Sequence, residues 1–121
     1  MYFLDNSHKE RFNKLIEYGD INIEDIERIS FFYIIAGNEN LYSKIINIYD
    51  FEGNKLKVKI DEEGNLHCNV DLSSGIKSLI YLAIQLYNGI GNRNVMQTFG
   101  CLDSTNSKLA LEAIKLRFNV Y

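Results

Sequence analysis

The one concentrated cationic feature of the chain is a row of three lysines, Lys55, Lys57 and Lys59. They alternate with Leu56, Val58 and Ile60, so on an extended strand the three ammonium groups share one face, roughly 7 Å apart. That spacing suits contact with phosphates or with the carboxylates of an acidic partner. The structural alternative is a solvated sheet face, with Lys55 opposite Asp71 across a ladder. Another cation, Arg93, lies in the Gly-rich stretch from Asn88 to Asn94, and polar loops of this kind often carry contacts. Lys55, Lys57, Lys59 and Arg93 are the candidate binding residues.

Nucleophilic and metal chemistry are poorly provided for. His67 and Cys68 are adjacent, and neighbours on a strand point to opposite faces, so they cannot form a thiolate–imidazole dyad with each other. Cys101 follows Gly100 and precedes a predicted helix, where a thiol pKa can fall, yet a buried, inert core thiol is the expected state. His8 is expected on the solvated face of a first helical turn. With two His and two Cys separated in sequence, no zinc-ligand spacing exists. The acidic clusters Glu24/Asp25, Asp50/Glu52 and Asp61/Glu62/Glu63 fall at helix starts and turns, where solvated charge is the ordinary role. Leu72-Ser73-Ser74-Gly75-Ile76-Lys77 resembles the signature loop of ABC-type ATPases, but no Gly-rich loop ending in Gly-Lys-Ser/Thr exists to cradle phosphates. Gly89-Ile90-Gly91-Asn92-Arg93-Asn94 resembles part of a dinucleotide fingerprint, but it follows a helix and lacks the third glycine. No catalytic residue, metal site or cofactor is predicted.

The elements that position these residues can be read from periodicity. A first helix is expected from His8 to Tyr18, with Ser7 and Glu10 as a capping box and Gly19 as its stop. A second follows Asn22 as N-cap, points Ile26, Ile29, Phe32 and Tyr33 to the core, and ends at Gly37. A short third helix starts after Asn38. From Lys55 to Ile60 and from Leu66 to Asp71 the period changes to 2, the pattern of a half-buried hairpin. A three-residue loop, Glu62-Glu63-Gly64, sets Ile60 opposite Leu66, Val58 opposite Cys68 and Leu56 opposite Val70, with Gly64 left-handed. The turn Asp50-Phe51-Glu52-Gly53-Asn54 repeats Asp61-Glu62-Glu63-Gly64-Asn65. The same rule sets Ile48 opposite Leu56, so residues Ile46 to Asp50 read as the first strand of a meander or, competing with that, as more of the third helix. Ser73 or Ser74 caps a long helix carrying Ile76, Leu79, Ile80, Ala83, Leu86 and Tyr87. A short helix holds Val95, Met96 and Phe99. Asp103 or Ser104 caps the last helix, with Leu109, Ala110, Ala113, Ile114 and Phe118. The two long C-terminal helices are the expected centre of the core.

The chain has 121 residues, 46% of them hydrophobic, which fits one domain with a core that needs no disulfide staples. The fold class is α+β, with helices packed on a small antiparallel meander or hairpin across residues 1–121. A net charge of -3 and a pI near 5.3 argue against a dedicated nucleic-acid coat, so nucleic acid is open through the lysine row but not indicated by composition. The opening Met1 to Asp5 turns polar at once, and no apolar run approaches the roughly 20 residues of a membrane span. The expected setting is cytoplasmic, without membrane attachment and with both thiols reduced. Absent proline and tryptophan, with abundant Ile, Asn, Lys and Tyr, fit an AT-rich coding sequence.

Several short boxes carry a family resemblance. These are Met1-Tyr2-Phe3-Leu4-Asp5 through His8 and Phe12, Phe32 to Gly37, Ile48-Tyr49-Asp50-Phe51, and Leu72-Ser73-Ser74-Gly75 running to Leu86-Tyr87-Asn88. Together they resemble a family of short uncharacterised proteins of phages, prophages and other mobile elements of low-GC Gram-positive bacteria. That setting implies an accessory protein that binds a host or phage protein complex, such as a counter-defence inhibitor of the anti-CRISPR kind. The competing expectation is a small enzyme or ligand-sequestering protein acting on a nucleotide or peptide, with Cys101 or His67 in its site. Homo-oligomerisation is compatible with either.

Overall fold

The computed structural model describes residues 1–120. The first helix, α1 (Asn6–Tyr18), is capped by Asp5, whose carboxylate accepts the His8 N–H at 2.8 Å. Ser7 was the expected cap. Asp5 offers the same chemistry two residues earlier, so Ser7 falls inside the helix. Asp25 caps α2 (Ile26–Gly37), accepting from the Arg28 N–H at 3.2 Å. Asn22, expected in that role, instead closes an Asx-turn on the Glu24 N–H at 2.9 Å. Asn38 caps α3 (Glu39–Ser43) as expected, and one further turn, α4 (Ile45–Ile48), follows. Ser73 caps α5 (Ser74–Asn88), which ends in the left-handed Gly89 at φ 76°. Asn94 and Gln97 form a capping box on α6 (Val95–Phe99), and Asp103 caps α7 (Ser104–Phe118).

The centre of the molecule is α2. Its residues Ile29 to Ala36 are all buried, and it packs on α1, α5 and α7. A helix apolar on every side has to be enclosed by others. The expectation that α5 and α7 form the centre is corrected accordingly: they flank α2, and Phe118 is 61% exposed. Contact between α2 and α7 is close at one point, where a Cβ on Gly37 would overlap the buried Leu109 side chain.

His8 belongs to this core and does not face solvent as expected. Its Nδ1 accepts the Leu4 N–H at 3.1 Å, and its Nε2 lies 2.9 Å from the Tyr33 carbonyl. An Nδ1 that accepts leaves the proton on Nε2, which donates to Tyr33, so the ring is neutral. Burial lowers its pKa below the ordinary value of 6.5. The Tyr33 hydroxyl donates to the Tyr2 carbonyl at 2.6 Å, fixing the start of the chain a second time on α2. Burial raises the Tyr33 pKa well above its ordinary value.

The β-structure is smaller than a meander. Strand β1 (Tyr49–Asp50) pairs antiparallel with β2 (Lys55–Leu56), and β3 (Lys59–Ile60) pairs antiparallel with β4 (Leu66–His67), in two separate sheets. Ile60 opposes Leu66 as expected, Gly64 is left-handed at φ 87°, and the loop has the expected three residues. That register would set Val58 against Cys68, but the ladder ends at Lys59 and His67. The first turn differs. Its left-handed residue is Asn54 (φ 54°), not Gly53. The loop is therefore one residue longer, and Leu56 faces Tyr49 instead of Ile48 or Val70. Ile46 to Asp50 is accordingly divided, helical to Ile48 and extended from Tyr49. A bend at Lys57 separates β2 from β3. Burial still alternates through the segment: Lys55, Lys57 and Lys59 are exposed, Leu56 and Ile60 half-buried, and Val58 buried. Cys68 is half-buried against the edge of the core.

Candidate functional site

The strand bearing the lysines runs beside the C-terminal end of α5. Between them lies a hollow of about 240 Å³, walled by Lys55, Leu56, Val58, Lys59 and Ile60 on one side and by Ile84, Tyr87, Asn88 and Ile90 on the other. A second hollow of about 270 Å³ shares Ile60 and Ile90 with it and reaches Asp61, Glu62, Gly64, Gly91 and Asn92. The lysine strand and the Asn88 to Asn94 loop, two separate candidates in the sequence, thus line one trough. Its apolar floor has lysines toward one end and carboxylates toward the other. Such a surface recognises a partner that is itself part apolar and part charged.

The four candidate residues divide. Lys55, Lys57 and Lys59 are solvated, and among the described residues no carboxylate pairs with any of them. Lys55 sits opposite Asp50 in the β1–β2 ladder, so the expected pairing with Asp71 is corrected. Lys57 occupies the bend and lines neither hollow. Arg93 also stands apart from the trough. Its guanidinium lies 4.1 Å over the Tyr81 ring and donates to the Ser78 hydroxyl at 3.4 Å, while Gln85 donates to its carbonyl at 3.3 Å. Arg93 holds its loop onto α5.

Two residues that sequence reasoning missed position the trough. The Tyr81 hydroxyl accepts the Leu66 N–H at 2.9 Å and donates to the Gly64 carbonyl at 3.0 Å, tying the hairpin turn to α5. Arg28 donates to the Tyr49 hydroxyl at 3.1 Å, to Asp25 at 2.9 Å and to the Asn54 carbonyl at 3.0 Å, locking the other turn onto α2. The Tyr49 hydrogen bond and the Asp25 carboxylate raise the Arg28 pKa despite desolvation, so the cation is permanent. Helical spacing marks Tyr81 and Arg28 only as helix residues, because the turn residues they hold lie 15 to 26 positions away.

The remaining reactive groups do not converge. Asp61 takes a hydrogen bond from His67 at 2.7 Å, and this contact first, then the Asn65 and Glu63 N–H groups, lowers the Asp61 pKa. Cys101 is exposed in the turn between α6 and α7, where its carbonyl lies against Gly75. It is not the buried thiol expected: it lies in the short connection between the two helices and not on the core-facing side of either. Among the described residues no group of three His, Cys, Asp or Glu is placed to hold a metal ion, and no helix is long and apolar enough to cross a membrane.

Residues 1–121 match the model of DUF6075, a family of unknown function. The chain belongs to this family. No curated protein and no solved structure matches the chain.

Proposed function

We propose that the chain acts by binding, and that its partner presents acidic groups to the Lys55, Lys57 and Lys59 surface beside the α5 trough. The observation that carries this reading is a contrast in how cations are used. All four arginines of the chain contact a carbonyl, a hydroxyl or an aromatic ring of the fold, whereas these three lysines are solvated and, among the described residues, form no ion pair. A folded domain has no structural need to line up three like charges, which repel one another across a sheet face. The resemblance to mobile-element proteins favours a host protein complex as the class of partner and counter-defence inhibition as the mode of action.

The test is a titration of the full chain against the complex captured from host lysate, at two salt concentrations. Changing all three lysines to Ser should weaken association about tenfold or more at low salt and less at high salt, where the attraction is already screened. An affinity unchanged at both salt concentrations would remove the lysine surface from the interface. Tight, salt-sensitive binding to nucleic acid in place of a protein complex would redirect the same surface to phosphates.

A further inference from the structure

We propose that the hollow between α1 and α4 is the contact face of a two-fold symmetric dimer of this chain. The hollow has a volume of about 560 Å³ and is walled by Leu15, Tyr18, Tyr42, Ile45, Ile46 and Phe51. It lies apart from the lysine trough and shares no lining residue with it. Tyr18 is 76% exposed and Ile46 73% exposed. Tyr18 meets the Phe51 ring edge-on at 4.9 Å at the rim of the hollow. Large apolar groups this exposed, gathered around one concavity, mark a surface that is covered in use.

The rim identifies the cover. Lys14 and Glu17 both line the hollow, are exposed, and stand about one turn apart on α1. Among the described residues neither forms an ion pair, with the other or with any third group. In a two-fold contact each residue pair occurs twice. Laying α1 antiparallel against α1 of a second copy, with Lys14 opposite Glu17, therefore sets Glu17 opposite Lys14 as well. The same symmetry carries each Tyr18 and Ile46 toward the other copy's apolar wall. The rim is thus complementary to itself, a property the lysine row lacks, since two such rows would repel.

Sedimentation equilibrium of the full chain over a range of concentrations tests this. The wild-type chain should dimerise. Lys14→Glu should weaken the dimer at least about tenfold, because it turns two attractive pairs into two repulsive ones, and Glu17→Lys should do the same. The double variant K14E/E17K should recover the wild-type constant to within about threefold, since the exchanged charges again meet with opposite sign. Ile46→Asp should abolish association while circular dichroism shows the helices unchanged. The triple lysine variant should dimerise like wild type, which separates a failure here from a failure of the binding function proposed above. A wild-type chain that stays monomeric to about 1 mM overturns the proposal. So do single charge reversals without effect, or a double variant as weak as the singles, which would mean that α1 faces something other than itself.

Discussion

Around α2 the interior contains His8, Ser30, Ser78 and Thr98, and among the described residues no buried side-chain nitrogen or oxygen lacks a hydrogen-bond partner. Arg11 donates to the Ala36 carbonyl at 2.6 Å and Arg117 to the Leu86 carbonyl at 2.8 Å, so two helix C-terminal turns are closed by arginines from elsewhere in the chain. The segment from Tyr49 to Val70 is built differently. Its ladders are two residues long, its side chains are mostly half-buried or exposed, and its lysines end in water. One region uses polar groups to specify an arrangement. The other, beside the polar groups that close its turns, carries three lysines that the arrangement does not need. Where charge is surplus to the fold, it is available to a partner.

Substitutions can break or sharpen that contrast. The largest effect is expected for His8→Ala, which removes a buried ring and the partners of the Leu4 N–H and the Tyr33 carbonyl. Chemical denaturation should show a loss of about 2–4 kcal/mol. The same ring should impose a pH dependence. Its folded pKa is lowered, so below the unfolded value of about 6.5 the unfolded chain binds more protons, and stability falls as pH falls through that value toward the folded pKa. Protonated Nδ1 would also turn a donor against the Leu4 N–H. Thermal melts should hold steady above pH 7 and decline toward pH 5, and His8→Gln should flatten this part of the profile. Gly37→Ala comes next, at about 1–3 kcal/mol, because the new methyl group must displace the fully buried Leu109. A change below about 0.5 kcal/mol would mean that α7 can shift on α2, and the helical region would be less specified than described. The smallest effect belongs to the lysines. Changing Lys55, Lys57 and Lys59 together to Ser should alter stability by no more than about 0.5 kcal/mol, and a larger loss would show that the fold does use their charge.

How much of this was legible in the sequence differs by region. Helix existence was clear wherever a cap, an apolar period and a glycine stop agreed, as in Ser73 to Gly89. Two cap assignments failed for one reason. Ser7 and Asp5, like Asn22 and Asp25, are all competent cap residues within three positions of one another, and only the path of the chain selects between them. His8 was unreadable because Ser7, Lys9 and Glu10 surround it with polar neighbours, while its partner at Tyr33 is 25 residues away. In the hairpin region the alternation of faces and the Ile60–Leu66 register were right, while the extent of that ladder and the register of the first turn were not. Side-chain period reports which face is buried, and it is silent about whether the strand bends. Asn54 tolerates the left-handed conformation nearly as well as glycine, so the choice between Gly53 and Asn54 moved the register by one. The candidate site was legible as charge and illegible as shape. The lysines could be found, but the trough exists because Tyr81 and Arg28 pin two turns to helices far away in sequence.

The enclosure of α2 also sets a schedule for synthesis. A chain emerging from the ribosome in order completes α2 after α1, its first cover, yet well before α5 and α7, which close its other sides. Until residues 74 to 113 have been made, Phe31, Phe32, Ile34 and Ile35 have only part of their final surroundings. An apolar helix left half-wrapped for that interval is a target for chaperones and a seed for aggregation. Yield in the cell should therefore follow how quickly the second half of the chain is delivered more closely than how stable the finished domain is.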